Sequence, residues 1–152
     1  MTEGKADGRL AIDDLQYMAF AGTSSTDSIA ADSANTMSAY MTGHKSGVNA
    51  LGGYVSRSKN SLEHPKQETL GELITRSSKM SVGVVSDAEL EDATPAAVVS
   101  HTRRRADKAE IVDMFYNVKP TVMLGGGSAY FLPKSTAGSK RKEKPNLSLI
   151  HI

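Results

Sequence analysis

A chain of 152 residues falls within the roughly 100 to 200 residues of a single domain, so it can build one core. Its 18 Lys plus Arg against 17 Asp plus Glu leave a net charge of +1, which gives the whole chain no electrostatic pull toward nucleic acid or acidic membranes. With no cysteine, a disulfide framework, a thiolate metal cluster and a cysteine nucleophile are all excluded.

Residues 1 to 9 are polar and carry Glu3, Lys5, Asp7 and Arg9, so they hold no apolar core of a signal peptide. No run approaches the roughly 18 consecutive apolar residues that a membrane helix needs. The patch Tyr17, Met18, Ala19 and Phe20, ending at Gly22, predicts a short strand, and the Ser/Thr/Asp run over 23 to 28 predicts a loop. From Ser33 to Met41 neither Gly nor Pro interrupts, and Gly43 supplies a stop, which predicts a helix beginning at the serine.

Pro65 is placed to open an amphipathic helix over Lys66 to Lys79, with Leu70, Leu73 and Ile74 spaced along one face. The run from Met80 to Val85 then predicts a buried parallel strand. A short helix is expected over Pro95 to His101, and a longer one over Lys108 to Val118 with Ile111, Val112, Phe115 and Tyr116 on neighbouring faces. A second buried strand is expected over Thr121 to Leu124. Gly125, Gly126 and Gly127 lack the spacing of either nucleotide-binding glycine motif and read as a tight strand-to-helix turn. This alternation argues an α/β fold with a mainly parallel sheet. Beyond Pro133 the residues up to Lys144 read as an exposed basic loop or tail. The closing stretch Leu147 to Ile152 resembles translated sequencing-adapter read-through and carries no argument.

Chemistry concentrates in three places. At Asp32-Ser33 a serine stands at a predicted helix start, where backbone donors and the helix dipole favour an incoming phosphate; taken alone, the pair reads first as an ordinary helix cap. Asp92 and Thr94, two residues apart after a strand, present oxygen ligands that suit a hard cation such as magnesium; ahead of Pro95 they also make a plain helix start. Arg103, Arg104 and Arg105 cannot all face one way, so at most one enters a site; a guanidinium there could grip a phosphate by two parallel hydrogen bonds, and a basic surface cluster is the other reading. The histidines His44, His64, His101 and His151 show no zinc-ligand spacing and read as surface or structural residues.

In order, Asp32-Ser33-Ala34, Thr42-Gly43-His44-Lys45, Glu89 through Ala97, His101 to Arg105 and Leu124 to Gly127 resemble the metal-dependent alkaline phosphatases, with Asp92-Ala93-Thr94-Pro95-Ala96-Ala97 the most specific part. The resemblance implies an incomplete three-layer α/β/α core over residues 10–133, followed by the tail at 134–152. It implies phosphomonoester hydrolysis through a phosphoserine, with two zinc ions and one magnesium. By position, Ser33 resembles the nucleophile and a zinc ligand, Asp32 the carboxylate that orients the arginine, Asp92 and Thr94 the magnesium ligands, and Arg105 the residue that holds the phosphate. Also implied are inorganic phosphate as product, a homodimer of the full-length protein, and a periplasmic or extracellular location, with neither nucleic acid nor membrane as partner.

The chain departs from the family at Ala30, Asn35, Met37 and Ser38, and it lacks the Asp-Gly-Met-Gly metal loop and the distant Asp and His zinc ligands. The expectation is therefore an N-terminal-half fragment that does not turn over alone. A non-catalytic α/β interaction domain and a basic nucleic-acid-binding segment are the other classes considered.

Overall fold

Asp32 and Gly43 bracket the first long helix, α1 (Ser33–Thr42), as the sequence predicts. The Asp32 side chain accepts from the Asn35 amide and the Asn35 side chain accepts from the Asp32 amide, closing a capping box, while Gly43 ends the helix in the left-handed region at φ 74°. The computed structural model describes residues 10–142. Within them follow α2 (Leu70–Ser77), β1 (Gly83–Glu89), α3 (Ala93–Ala96), α4 (Lys108–Val118), β2 (Val122–Gly126) and α5 (Ser128–Phe131), after a single 3-10 turn at Ala11–Asp14.

The two strands pair in parallel, Gly83 opposite Val122, Val84 opposite Met123 and Val85 opposite Leu124, with an irregularity before Glu89 meets Gly126. Because α3 and α4 lie between them in sequence, the unit is a strand–helix–strand crossover, the arrangement that parallel pairing requires. The architecture is part of an α/β core. Its apolar centre joins Ala34 of α1, Leu51, Val84 of β1, Leu90, Ala93 and Ala96 of α3, Val99, and Ile111 and Phe115 of α4. Small side chains let α1 approach α3 closely, and Phe115 meets Phe131 edge-on with ring centroids 5.8 Å apart.

Four expectations change. Tyr17 to Phe20 form no strand; those side chains stand exposed, and a local apolar run without a pairing partner gains nothing from extending. α2 begins at Leu70, not after Pro65, because residues 65–67 are held elsewhere: the Pro65 carbonyl accepts from the Tyr54 amide at 2.9 Å, and the Gln67 amide donates to the Gly52 carbonyl at 3.0 Å. Helix α3 starts at Ala93, two residues before Pro95, and stops at Ala96, so His101 lies outside it. Both strands run later than predicted, and burial is one-sided: Val84 is buried, whereas Val85 is 70% and Leu124 60% exposed. Helix α4 matches its predicted bounds, whereas Gly125 and Gly126 belong to β2, so that of the glycine run only Gly127, at φ 112°, makes the turn into α5. Residues 134–142 carry no helix or strand; the expectations for 143–152, including His151, and for residues 1 to 9 lie outside the described residues. No helix among the described residues is long and apolar enough to cross a membrane.

Candidate active site

Two helix N-termini face one arginine. Asp32 caps α1 and Asp92 caps α3; Arg105 enters between them from the loop before α4. Its Nη1 donates to Asp32 Oδ2 at 3.3 Å and to Ser33 Oγ at 2.9 Å, and its Nη2 donates to Asp92 Oδ1 at 2.8 Å. The other Asp32 oxygen is used by the backbone, accepting from Asn35 and Asn49 amides at 3.2 Å each. Asn49 in turn offers its carbonyl to the Arg105 amide at 2.9 Å. The same residue, at φ 65°, thus registers both the arginine and the carboxylate that faces it.

The cluster is half-open: the Arg105 side chain is 30% exposed, and Ser33 lies at the surface. Burial acts to raise the Asp92 carboxyl, but the Arg105 hydrogen bond, the Ala93 amide and the charges of Arg105 and Lys108 outweigh it, so Asp92 stays below the ordinary aspartate range. The Asp92 hydrogen bond, working against burial, raises the Arg105 guanidinium further, with Asp32 adding to it. A guanidinium bonded to two carboxylates, with one edge beside a helix-start hydroxyl, is held in a fixed orientation.

The structure brings together four of the five predicted site residues. Thr94 is the exception: it is exposed in the first turn of α3, and no hydrogen bond joins it to Arg105 or Ser33. Arg103 instead donates to the Val48 carbonyl and to Asp27 Oδ2 at 3.4 Å, and Arg104 is largely exposed beside Asp107. One of the three arginines enters the cluster.

Metal fit divides in two. Asp92 and Thr94 supply hard oxygen donors of the kind magnesium takes, and only one Asp92 oxygen is engaged by Arg105. Among the described residues no group of three or more His, Asp or Glu is arranged to hold a metal, so a zinc pair does not fit there.

Sequence reading gave no role of their own to three groups, Asn49, Glu91 and the pair Glu72 and His101, of which His101 was expected as a surface or structural residue. Asn49 acts only through its backbone, which no motif betrays. Glu91 is fully buried, with both carboxyl oxygens lacking a hydrogen-bond partner; burial first, then the Glu89 and Asp92 charges, push it up. A Cβ at Gly127 would strike its Oε2, which keeps that position glycine. His101 and Glu72 form a pair at 2.7 Å, and the Thr69-x-x-Glu72 capping signature was there to be read.

Helices beside a parallel strand pair, with the polar cluster at the end of β1, define an α/β protein whose site lies where such folds place theirs. The family model described as alkaline phosphatase matches residues 2–147. The alkaline phosphatase of Escherichia coli strain K12 is 32% identical over 126 residues, covering 70% of this chain and 25% of that protein. Alkaline phosphatase from the Antarctic bacterium TAB5 matches in structure with a TM-score of 0.61 and 26% identity, over 79% of this chain and 32% of that one. A variant of the TAB5 enzyme with Mg bound matches at a TM-score of 0.60 and 25% identity, over 72% of this chain and 30% of that one. The chain belongs to the alkaline phosphatase family. It spans about a quarter of the length of the Escherichia coli relative.

Proposed function

We propose that the Arg105 cluster is the phosphate seat of a phosphomonoester hydrolase. The single observation that carries this reading is the Arg105 guanidinium, fixed by Asp32 and Asp92 and 2.9 Å from Ser33 Oγ. A phosphoryl group entering from solvent would exchange for the Ser33 hydroxyl at Nη1 and leave the two carboxylate bonds to hold the arginine in place. Ser33 Oγ, at the first turn of α1, then faces phosphorus as nucleophile, and the helix amides favour the negative charge. Attack breaks the ester bond, releases the alcohol and leaves phosphoserine; water breaks the Oγ–P bond and returns inorganic phosphate. Asp32 and Asp92 act as orienting groups, since both are tied to Arg105.

Asp92 and Thr94 would hold magnesium, which would supply positive charge next to the seat; the family resemblance and the Mg-bound TAB5 relative support this. The zinc pair, the homodimer and a periplasmic or extracellular location rest on family membership. Residues 10–133 form the phosphatase part and 134–152 the tail. The deprotonation of Ser33 needs a group that the described residues do not provide, so the isolated chain is expected to bind a phosphomonoester without turning it over.

Assay with p-nitrophenyl phosphate, zinc and magnesium tests both halves. The expected result is no turnover, with p-nitrophenyl phosphate displacing bound inorganic phosphate. Turnover abolished by Ser33→Ala would contradict the inactivity, and failure to compete with phosphate would contradict the seat.

A further inference from the structure

A second polar cluster is tied to the same segment as the first, at Gly52 where the first meets Asn49. His101 is buried, and both ring nitrogens face acceptors: Nδ1 is 2.6 Å from the Gly52 carbonyl, and Nε2 is 2.7 Å from Glu72 Oε1. A neutral imidazole carries one N–H and would turn a lone pair toward one of these oxygens; only the doubly protonated ring satisfies both. The Glu72 carboxylate is itself fixed, its Oε2 accepting from the Thr69 amide at 2.8 Å and the Thr69 hydroxyl at 3.2 Å. Gly52 makes room for the ring: it sits at φ +54°, where a Cβ would strike the Ser100 carbonyl and come 2.7 Å from His101 Nδ1.

From His101 the chain runs in register along the same segment toward the seat. Leu51 and Thr102 exchange backbone hydrogen bonds at 2.8 and 3.1 Å, and the Arg105 amide bonds the Asn49 carbonyl at 2.9 Å. Ring, bridge and arginine are three successive ties between residues 101–105 and 49–52, and the Asn49 amide carries the register on to Asp32.

The geometry points to Glu72 and His101 as a positioning pair for Arg105: an ionised clamp that holds residues 101–105 against 49–52 and so sets the guanidinium between Asp32, Ser33 and Asp92. The pair touches no ligand. For its ligand the inference rests on the phosphate-seat reading; for the placing of Arg105 it stands alone. Burial acts to lower His101, and the Glu72 hydrogen bond, the Gly52 carbonyl and the Glu72 charge outweigh it and the opposing Lys66 ammonium, leaving His101 above the ordinary histidine value. Burial likewise acts to raise Glu72, and the His101 and Thr69 hydrogen bonds leave it lowered. Around the pair, Lys66 comes from the bridge segment, Glu68 and Arg76 pair with each other across α2, and α4 contributes Met114 and Asn117, neither of which titrates. The clamp loosens as pH rises through the His101 value.

The test follows the 15N-labelled 152-residue chain, reading the His101 ring nitrogens and the Arg105 Nε–H signal by NMR, together with binding of inorganic sulfate, a tetrahedral dianion of constant charge across the range. Glu72→Gln is expected to lower the His101 midpoint by about one pH unit, move the alkaline limb of sulfate binding with it, weaken sulfate binding about tenfold at pH 7.5, and broaden the Arg105 signal. A shifted His101 with an unchanged Arg105 signal and unchanged sulfate profile overturns the inference. If the parent chain binds no sulfate, the phosphate-seat reading fails and the Arg105 signal alone decides: broadening upholds the clamp, and no change ends it. Should Glu72→Gln not fold, Lys66→Ala works in the opposite direction. Removing the opposing ammonium is expected to raise the His101 midpoint and extend sulfate binding to higher pH, and a profile that does not follow the midpoint overturns the proposal.

Discussion

The two polar clusters tied to residues 49–52 use the same chemistry, a cation on a carboxylate, to different ends. At Arg105 the partners are part-exposed, the serine stands at the surface, and one donor edge is free to exchange its hydroxyl for a ligand. At His101 the side chain is 10% exposed and both nitrogens are taken by protein acceptors. Solvent access separates a site from a strut. Where water reaches the guanidinium, a phosphate can too; the imidazole is closed off, and of that pair only the Glu72 carboxylate, 25% exposed, meets solvent.

The sharpest way to break this comparison is to remove the part-exposed acceptor of the buried imidazole. Glu72→Ala leaves His101 Nε2 without its acceptor and is expected to cost about 3 kcal/mol near pH 6 by urea denaturation. The pH dependence has a definite sign. The raised His101 contributes fully below its unfolded value of about 6.5 and loses its contribution as pH rises through the higher folded one; the lowered Glu72 contributes above about 4.3 and loses it as pH falls through the lower folded one. The destabilisation by Glu72→Ala should therefore be greatest between these limits and shrink on both sides. A pH-independent loss would mean that the pair is not ionised.

The open cluster should respond less. Asp32→Ala removes a helix cap and one arginine partner, both part-exposed, and is expected to cost about 1 kcal/mol, the usual worth of a cap. A loss as large as that of Glu72→Ala would erase the distinction between the two clusters.

How much of this was legible in the sequence follows the range of the interactions. Helix α1 could be bounded by its local signals, an Asp cap and a glycine stop, and α4 by the spacing of Ile111, Val112 and Phe115. Pro65 misled because residues 65–67 answer to Gly52 and Tyr54, contacts that no local pattern encodes. Tyr17 to Phe20 had strand-like composition and no neighbour to pair with. Asp32, Ser33, Asp92 and Arg105 were singled out by the order of motifs. Their convergence, across separations of 73 and 13 residues, is a product of the fold, and so is the choice of Arg105 over Arg103 and Arg104 for its centre. Asn49 was invisible because its side chain takes no part.

The central claim is that Arg105, held by Asp32 and Asp92, is a seat for phosphate. Calorimetric titration of inorganic phosphate into the chain and into Arg105→Ala at low ionic strength measures it most directly. The account predicts saturable one-to-one binding that weakens about 30-fold in the variant, equivalent to about 2 kcal/mol of charge-assisted hydrogen bonding. Equal binding by both proteins, with the variant folded, would contradict it.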